Sequence, residues 1–297
     1  MRLLVSRHLE NFLALYRSLN MHAAAEAKNI SQPALTKSLK LLENEIGTPL
    51  FRRTPHGLEP TAAGTTLCQY ARQIDQAARF AAIDLQNSLE KGHLNIGIGP
   101  VLAVSTFPAI ITAFHQTYPG LSITVETGIS SQLIEGLARE NYDFVVTALP
   151  EDPVPKTITS FPLYKSNMVA IGRAGHPLAS VGGRIEDLSV YRRVGFVEDR
   201  EFEKRALRTL GPRAEALRPA LQTTSLAVMF GMLAATDYFA IVSEMILPRA
   251  MSEGLVRIPV EHDFWTIDIG LVCKSTLTSS LAVEAIRAAL IASANGR

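Results

Sequence analysis

The chain has 297 residues, 47% of them hydrophobic, a formal net charge of +1 and two cysteines. That length and apolar content can bury a sizeable core in more than one domain, which excludes a disordered chain; Cys68 and Cys273, far apart, match no metal or redox spacing and read as reduced thiols. No apolar run is long enough to span a bilayer and the N-terminus enters an amphipathic helix rather than a secretion signal, so the expectation is a cytoplasmic protein with no membrane partner.

In chain order, Leu9, Phe12, Leu13 and Tyr16 fall at i, i+3, i+4 and i+7, placing one apolar stripe on a first helix. Asn20 is positioned to cap a second, Met21 to Ala27, whose alanines let another helix approach closely. Ser31 caps a third, with Pro33 in its first turn where a missing N–H costs little. Along it Leu35, Leu39, Leu42 and Ile46 form the inward stripe, leaving Gln32, Thr36 and Lys40 on the opposite face beside Pro33 and Lys37. Such a face suits a helix entering the major groove by its N-terminus, where Gln bonds base edges, Thr offers a hydroxyl or methyl and lysines neutralise phosphates. Taken alone, those residues read equally well as a solvated helix face. Gly47 ends the helix, Leu50 to Arg53 reads as a strand, Pro55-His56-Gly57 as a turn, and Leu58 and Glu59 as the return strand. This wing carries Arg52 and Arg53, which either meet DNA or, in one case, pair with Glu43, Glu45 or Glu59. Charge agrees: residues 1–66 carry eight Lys/Arg against five Asp/Glu, and residues 93–297 eighteen against twenty.

Helices followed by a hairpin with adjacent arginines is the order of a winged helix-turn-helix. The motifs Ala24-Ala25-Glu26, Ile30-Ser31-Gln32-Pro33-Ala34-Leu35-Thr36, Leu42-Glu43, Gly47-Thr48-Pro49-Leu50-Phe51-Arg52-Arg53-Thr54 and Thr61-Ala62-Ala63-Gly64 resemble the N-terminal signature of LysR-type transcriptional regulators. Leu19 stands where that family usually has glycine, and Lys28 where it usually has leucine. The resemblance implies DNA contacts from Ser31, Gln32, Pro33, Thr36, Lys37, Lys40, Arg52 and Arg53. It also implies an inverted-repeat double-stranded operator, a small-molecule effector, a homodimer pairing into a tetramer, RNA polymerase as a partner of an activator, and no cofactor or metal.

From Thr61 to about Lys91 there is no proline, and Leu67, Ala71, Ile74, Ala78, Ala81 and Leu85 alternate spacings of four and three. This heptad seam lies on a helix of roughly 40 Å. It packs within the chain or, as the resemblance implies, joins two copies.

After Gly92, short apolar runs alternate with helical segments: Leu94 to Ile98, Phe107 to Tyr118, Ser122 to Glu126, Gln132 to Arg139 and Phe144 to Thr147. A second series follows at Met168 to Gly172, Arg193 to Val197, Ser225 to Ala235 and Phe239 to Val242. Alternation of this kind predicts mainly parallel α/β sheets in two lobes, with ligands at the carboxyl ends of the strands. The expected architecture is a winged helix-turn-helix (1–60), a linker helix (61–91) and a two-lobed, periplasmic-binding-protein-like α/β effector domain (92–297). Lobe I takes 92–163 and 267–297, lobe II takes 164–266, and the crossings fall near Leu163-Tyr164 and Trp265-Thr266. Carried over from the family, the effector pocket comprises Pro100, Val101, Leu102, Gly128, Ile129, Ser130, Thr147, Phe202, Thr224 and Ser225. Ser130, Thr224 and Ser225 lie at helix starts that favour a carboxylate, although each also reads as a plain cap. The effector class expected on this basis is a small organic or aromatic acid, while Val101 and Ile129, apolar where relatives often carry hydroxyls, make the pocket less polar. The Thr236-Asp237-Tyr238-Phe239 turn departs from the family's Gly-Xaa-Gly.

Catalysis finds no support: seven histidines are scattered without HExxH spacing, no Gly-Xaa-Ser-Xaa-Gly elbow or P-loop occurs, and Gly97-Ile98-Gly99-Pro100 breaks the dinucleotide pattern. The mixed-charge stretch 198–205 reads as a solvated loop and helix start. A ligand-binding protein that uses its N-terminal helices only to dimerise is the other alternative.

Overall fold

A computed structural model describes residues 6–54, 57–86, 92–261 and 264–295. The chain forms two compact units, Met1–Leu85 and Gln86–Arg297. The first contains α1 (Arg7–Ser18), α2 (Met21–Ala27), α3 (Gln32–Ile46), the hairpin strands β1 (Phe51–Thr54) and β2 (Gly57–Pro60), and α4 (Ala62–Gln86). Side-chain oxygens of Ser6, Asn20 and Ser31 accept from the first-turn amides of α1, α2 and α3, each cap stabilising by about 1 kcal/mol relative to alanine. Leu9, Phe12 and Leu13 of α1 pack with Leu35 and Leu42 of α3 and with Leu50 and Phe51 of the wing. Asn11 Nδ2 donates to Ser38 Oγ at 2.9 Å, pinning α1 to α3 inside that core. Ile46, expected inward, is 36% exposed, because it is the last residue before Gly47 (φ 81°) turns the chain off the helix.

Both departures from the family signature have local consequences. Leu19 is the C-cap of α1 in the left-handed region, φ 49° and ψ 22°, the conformation that favours glycine. Lys28 Nζ meets Glu10 Oε2 at 2.7 Å, so an ion pair ties the end of α2 to α1. Thr61 fastens the wing to α4: its N–H donates to Leu50 O at 2.9 Å, its hydroxyl donates to Pro49 O at 2.7 Å, and Gly64 N–H donates back to the hydroxyl at 3.0 Å. A Cβ on Gly64 would collide with the Leu50 carbonyl oxygen.

The heptad seam divides. Ala71 is buried in the core of this unit, and Leu67 and Ile74 pack against it, because the first turns of α4 are already opposed by α1 and the wing. Ala78 and Ala81 are exposed. The side chain of Leu85 lies outside the described residues, as do Pro55 and His56 of the expected wing turn and the linker's end, residues 87–91.

The second unit runs β3 (Gly92–Ile98), α5 (Pro100–Val104), α6 (Phe107–Thr117), β4 (Leu121–Thr127), α7 (Ser130–Ala138), β5 (Phe144–Ala148), β6 (Ile158–Arg173), α8 (Leu178–Val181), β7 (Arg193–Phe196), α9 (Arg200–Leu210), β8 (Pro219–Thr223), α10 (Leu226–Ala235), β9 (Ala240–Ser243), α11 (Leu247–Ser252), β10 (Leu255–Ile258), β11 (Thr266–Lys274) and α12 (Leu281–Asn295). One lobe is the sheet β4-β3-β5-β11 with the first half of β6, where β3 pairs in parallel with β4 and β5. In the other, the second half of β6 pairs antiparallel with β9 and β10, and β7 pairs in parallel with β8. Leu133 and Leu137 of α7 pack on Val145 and Val272; Met229 and Leu233 of α10 pack on Val169, Ile171 and Ala240.

The sheets are mixed, not mainly parallel. β6 carries the chain out to the second lobe and β11 brings it back, so these paired strands must run in opposite directions. β6 pairs with β11 as far as Asn167 and with β9 from Met168, four residues past Leu163-Tyr164, because the strand passes between lobes without a turn. The Thr236–Phe239 turn is held by side chains: Thr236 Oγ1 donates to Met232 O at 2.6 Å, and Arg173 meets Asp237 at 2.6 Å. Among the described residues no helix is long and apolar enough to cross a membrane.

Candidate functional site

On α3, burial of Leu35 and Leu42 sets the rotation of the helix, and Gln32, Pro33, Thr36, Lys37, Lys40 and Leu41 then line one shallow outer groove. Thr36 Oγ1 donates to Gln32 O at 3.0 Å, so Thr36 presents its methyl and oxygen lone pairs rather than a free proton. Ser31 Oγ is engaged as the cap. The two wing arginines differ. Arg52 lies opposite Glu59 in the hairpin and donates to its Oε2 from Nη2 at 3.0 Å and Nε at 3.3 Å. Arg53, opposite Leu58, is exposed and its side chain makes no ion pair or hydrogen bond among the described residues. Glu43 instead accepts the Leu50 N–H at 2.7 Å.

Between the two lobes of the second unit lies a cavity of about 120 Å³. From one lobe come Pro100, Val101 and Leu102, Ile129 and Ser130, Thr147 and Leu149; from the other come Met168, Phe196, Phe202, Ile241 and Trp265. Seven of the ten expected pocket residues therefore meet there: Pro100, Val101, Leu102, Ile129, Ser130, Thr147 and Phe202. Three do not. Gly128 packs against Leu133, Thr224 is exposed, and Ser225 is the N-cap of α10, accepting from Val228 N–H. Ser225 Oγ is thus engaged at the start of α10, outside the cavity lining. Ser130 is at the start of α7 but donates to Ala148 O at 2.6 Å, and the N-cap, Ile129, supplies no side-chain bond, leaving the helix start without a side-chain cap.

The stretch 198–205 is the larger surprise. Asp199 caps α9, accepting from Phe202 N–H at 3.1 Å, and Asp199, Glu201 and Arg205 join Phe202 in the cavity wall. Arg205 is 6% exposed; its Nη2 reaches across to Leu149 O at 2.7 Å. Lys204 and Arg208 pair with Asp152 and Glu151 beside it, so α9 clasps the facing lobe. Burial pushes the Asp199 carboxyl upward and brings the Arg193 guanidinium, 4.2 Å over the Phe202 ring, down to about 10. The sequence signal was present: Glu201, Arg205 and Arg208 recur at i, i+4 and i+7, the spacing of one helix face. Both cysteines are buried, and burial pushes the Cys273 thiol up to about 11, which leaves little reactive thiolate at that position.

A helix-turn-helix head on the same chain as a two-lobed sensor with a cleft defines a ligand-responsive transcription regulator. Residues 6–65 match the bacterial regulatory helix-turn-helix protein of the lysR family, and residues 87–295 match the LysR substrate binding domain. The chain belongs to the LysR family of DNA-binding, effector-controlled transcriptional regulators. It is 29% identical to the HTH-type transcriptional regulator GalR of Pseudomonas putida, over 96% of this chain and 73% of that protein. Full-length OxyR from Pseudomonas aeruginosa shares the fold with a TM-score of 0.73 at 19% identity, covering 98% of this chain and 94% of that one. CbnR, solved with its target DNA, superposes with a TM-score of 0.63 at 16% identity, covering 96% and 98%.

Proposed function

We propose that this protein binds a small organic acid between its lobes and that occupancy changes how a homodimer grips an inverted-repeat operator. The observation that supports this most is the interlobe cavity, an apolar chamber bounded by Phe202 and Trp265 and by the start of α7, whose dipole and free amides favour a carboxylate. The head (1–60) reads the operator, the linker (61–91) pairs protomers and the effector domain (92–297) senses the metabolite; a ligand can couple these only by binding two assemblies with different affinities. Gln32 and Thr36 face base edges; Ser31, Pro33, Lys37, Lys40 and Arg53 follow the backbone. Protomers pair through the far part of α4, with Ala78 and Ala81 at the seam, dimers associate into tetramers, and an activating form meets RNA polymerase. This is work for the cytoplasm, and it needs no catalytic group.

Gel-shift titrations on matched and scrambled duplexes test the reading. Gln32→Ala should cost roughly 1–3 kcal/mol on the matched operator alone, while Lys40→Ala weakens both duplexes. Equal losses for Gln32→Ala on both would remove it from base readout. Indifference to Lys37, Lys40 and Arg53 would favour a ligand-binding dimer that ignores DNA.

A further inference from the structure

We infer that the effector carries, besides its acid group, a hydrogen-bond donor, an ammonium or a hydroxyl, directed at the carboxylate of Glu201. This rests on the cavity being the effector site and adds what the second lobe requires of the ligand. Glu201 lines the cavity from the first turn of α9, and its Oε2 is buried with no hydrogen-bond partner among the described residues. A buried carboxylate oxygen is a strong acceptor that a folded protein seldom leaves unmatched. Its nearest cation is Lys204, whose Nζ stands 3.5 Å from the other oxygen and is drawn to Asp152.

The remaining charges are engaged elsewhere. Arg205 donates to Leu149 O at 2.7 Å and to Thr266 O at 3.4 Å, with Glu151 3.7 Å from its Nε. Arg193 donates to Leu217 O and stacks on Phe202. Asp199 accepts the Phe202 N–H and so is engaged as the cap of α9. The lobe II side therefore offers the Glu201 carboxylate, its side chain 18% exposed and its Oε2 without a partner among the described residues, and the lobe I side offers the amide donors of α7. A molecule with an acid at one end and a donor near the other, on a compact apolar body, satisfies both. A cavity of about 150 Å³ accommodates benzene, so about 120 Å³ fits a body of that order or slightly smaller. Small aliphatic amino acids and hydroxy acids have this form.

Leucine, 2-hydroxy-4-methylpentanoate, 4-methylpentanoate and 3-methylbutylamine form a matched probe set for the full-length protein. Binding is read by the emission of Trp265, the chain's single tryptophan, which lines the cavity. At least one donor-bearing acid should bind about tenfold or more tightly than 4-methylpentanoate, and Glu201→Leu should abolish that advantage. Glu201→Gln, which keeps an acceptor without the charge, should spare the hydroxy acid and weaken the amino acid, separating the two sources of the donor. Equal binding of 4-methylpentanoate, an advantage that survives Glu201→Leu, or silence from both donor-bearing acids would overturn the inference. If 3-methylbutylamine bound as well as leucine, the role of Glu201 would stand and the acid anchor proposed above would fall.

Discussion

Position 19 offers a test in which the usual order of two residues should reverse. Within a helix, glycine is less favourable than alanine by about 1 kcal/mol. Leu19 instead terminates α1 with φ 49° and ψ 22°, where a Cβ costs an L-residue about 1–2 kcal/mol. Glycine escapes that cost but loses more backbone freedom on folding, about 0.5–1 kcal/mol. Both Leu19→Gly and Leu19→Ala delete the same partly exposed side chain beyond Cβ, so comparing them isolates the backbone effect. Leu19→Gly should be the more stable of the two by about 0.5–1 kcal/mol, a two- to fivefold difference in local opening. Hydrogen exchange of peptides spanning α1 and α2 in the full-length protein measures it. Slower exchange in Leu19→Ala than in Leu19→Gly would refute the assignment of left-handed strain to this cap.

Gly64→Ala should push the wing away from α4 and weaken operator binding by roughly 1–3 kcal/mol, while ligand titrations followed at Trp265 stay unchanged; intact operator affinity would show that α4 yields instead. Arg53→Ala should lower the salt dependence of operator binding by about one counterion, whereas Arg52→Ala, which frees Glu59, should change that slope less; the reverse order in salt-titrated gel shifts would exchange their roles. His176 is buried, its Nδ1 accepting from Leu178 N–H at 3.1 Å and its Nε2 3.2 Å from Asp237 O, and burial lowers its pKa. The unfolded chain takes up a proton near pH ~6.5 that the folded lobe resists, so the stability contributed by the neutral ring is complete above that pH and falls as the pH drops toward the lower folded value. Urea midpoints should decline over that window and decline less in His176→Gln; parallel pH profiles would exclude the histidine as the cause.

What the chain declares by itself is local. Caps at Asn20 and Ser31, the stripes of α1 and α3, and the motifs from Ala24 to Gly64 act over one or two helical turns, where side-chain spacing and backbone need coincide. They sufficed for the winged head and the family, and the alternating apolar and helical runs after Gly92 for the lobed second unit. Tertiary structure alone decided that β6 and β11 run antiparallel, that Glu59 engages Arg52 and leaves Arg53 exposed, and that Leu67, Ala71 and Ile74 serve their own head. It also removed Gly128, Thr224 and Ser225 from the cavity and brought in Asp199, Glu201, Arg205 and Trp265. The physical reason is that a cleft is assembled from segments as distant as Pro100 and Trp265, and whether a hydroxyl or guanidinium there is available depends on which backbone carbonyl folding brings within reach. No periodicity in the chain encodes that partner.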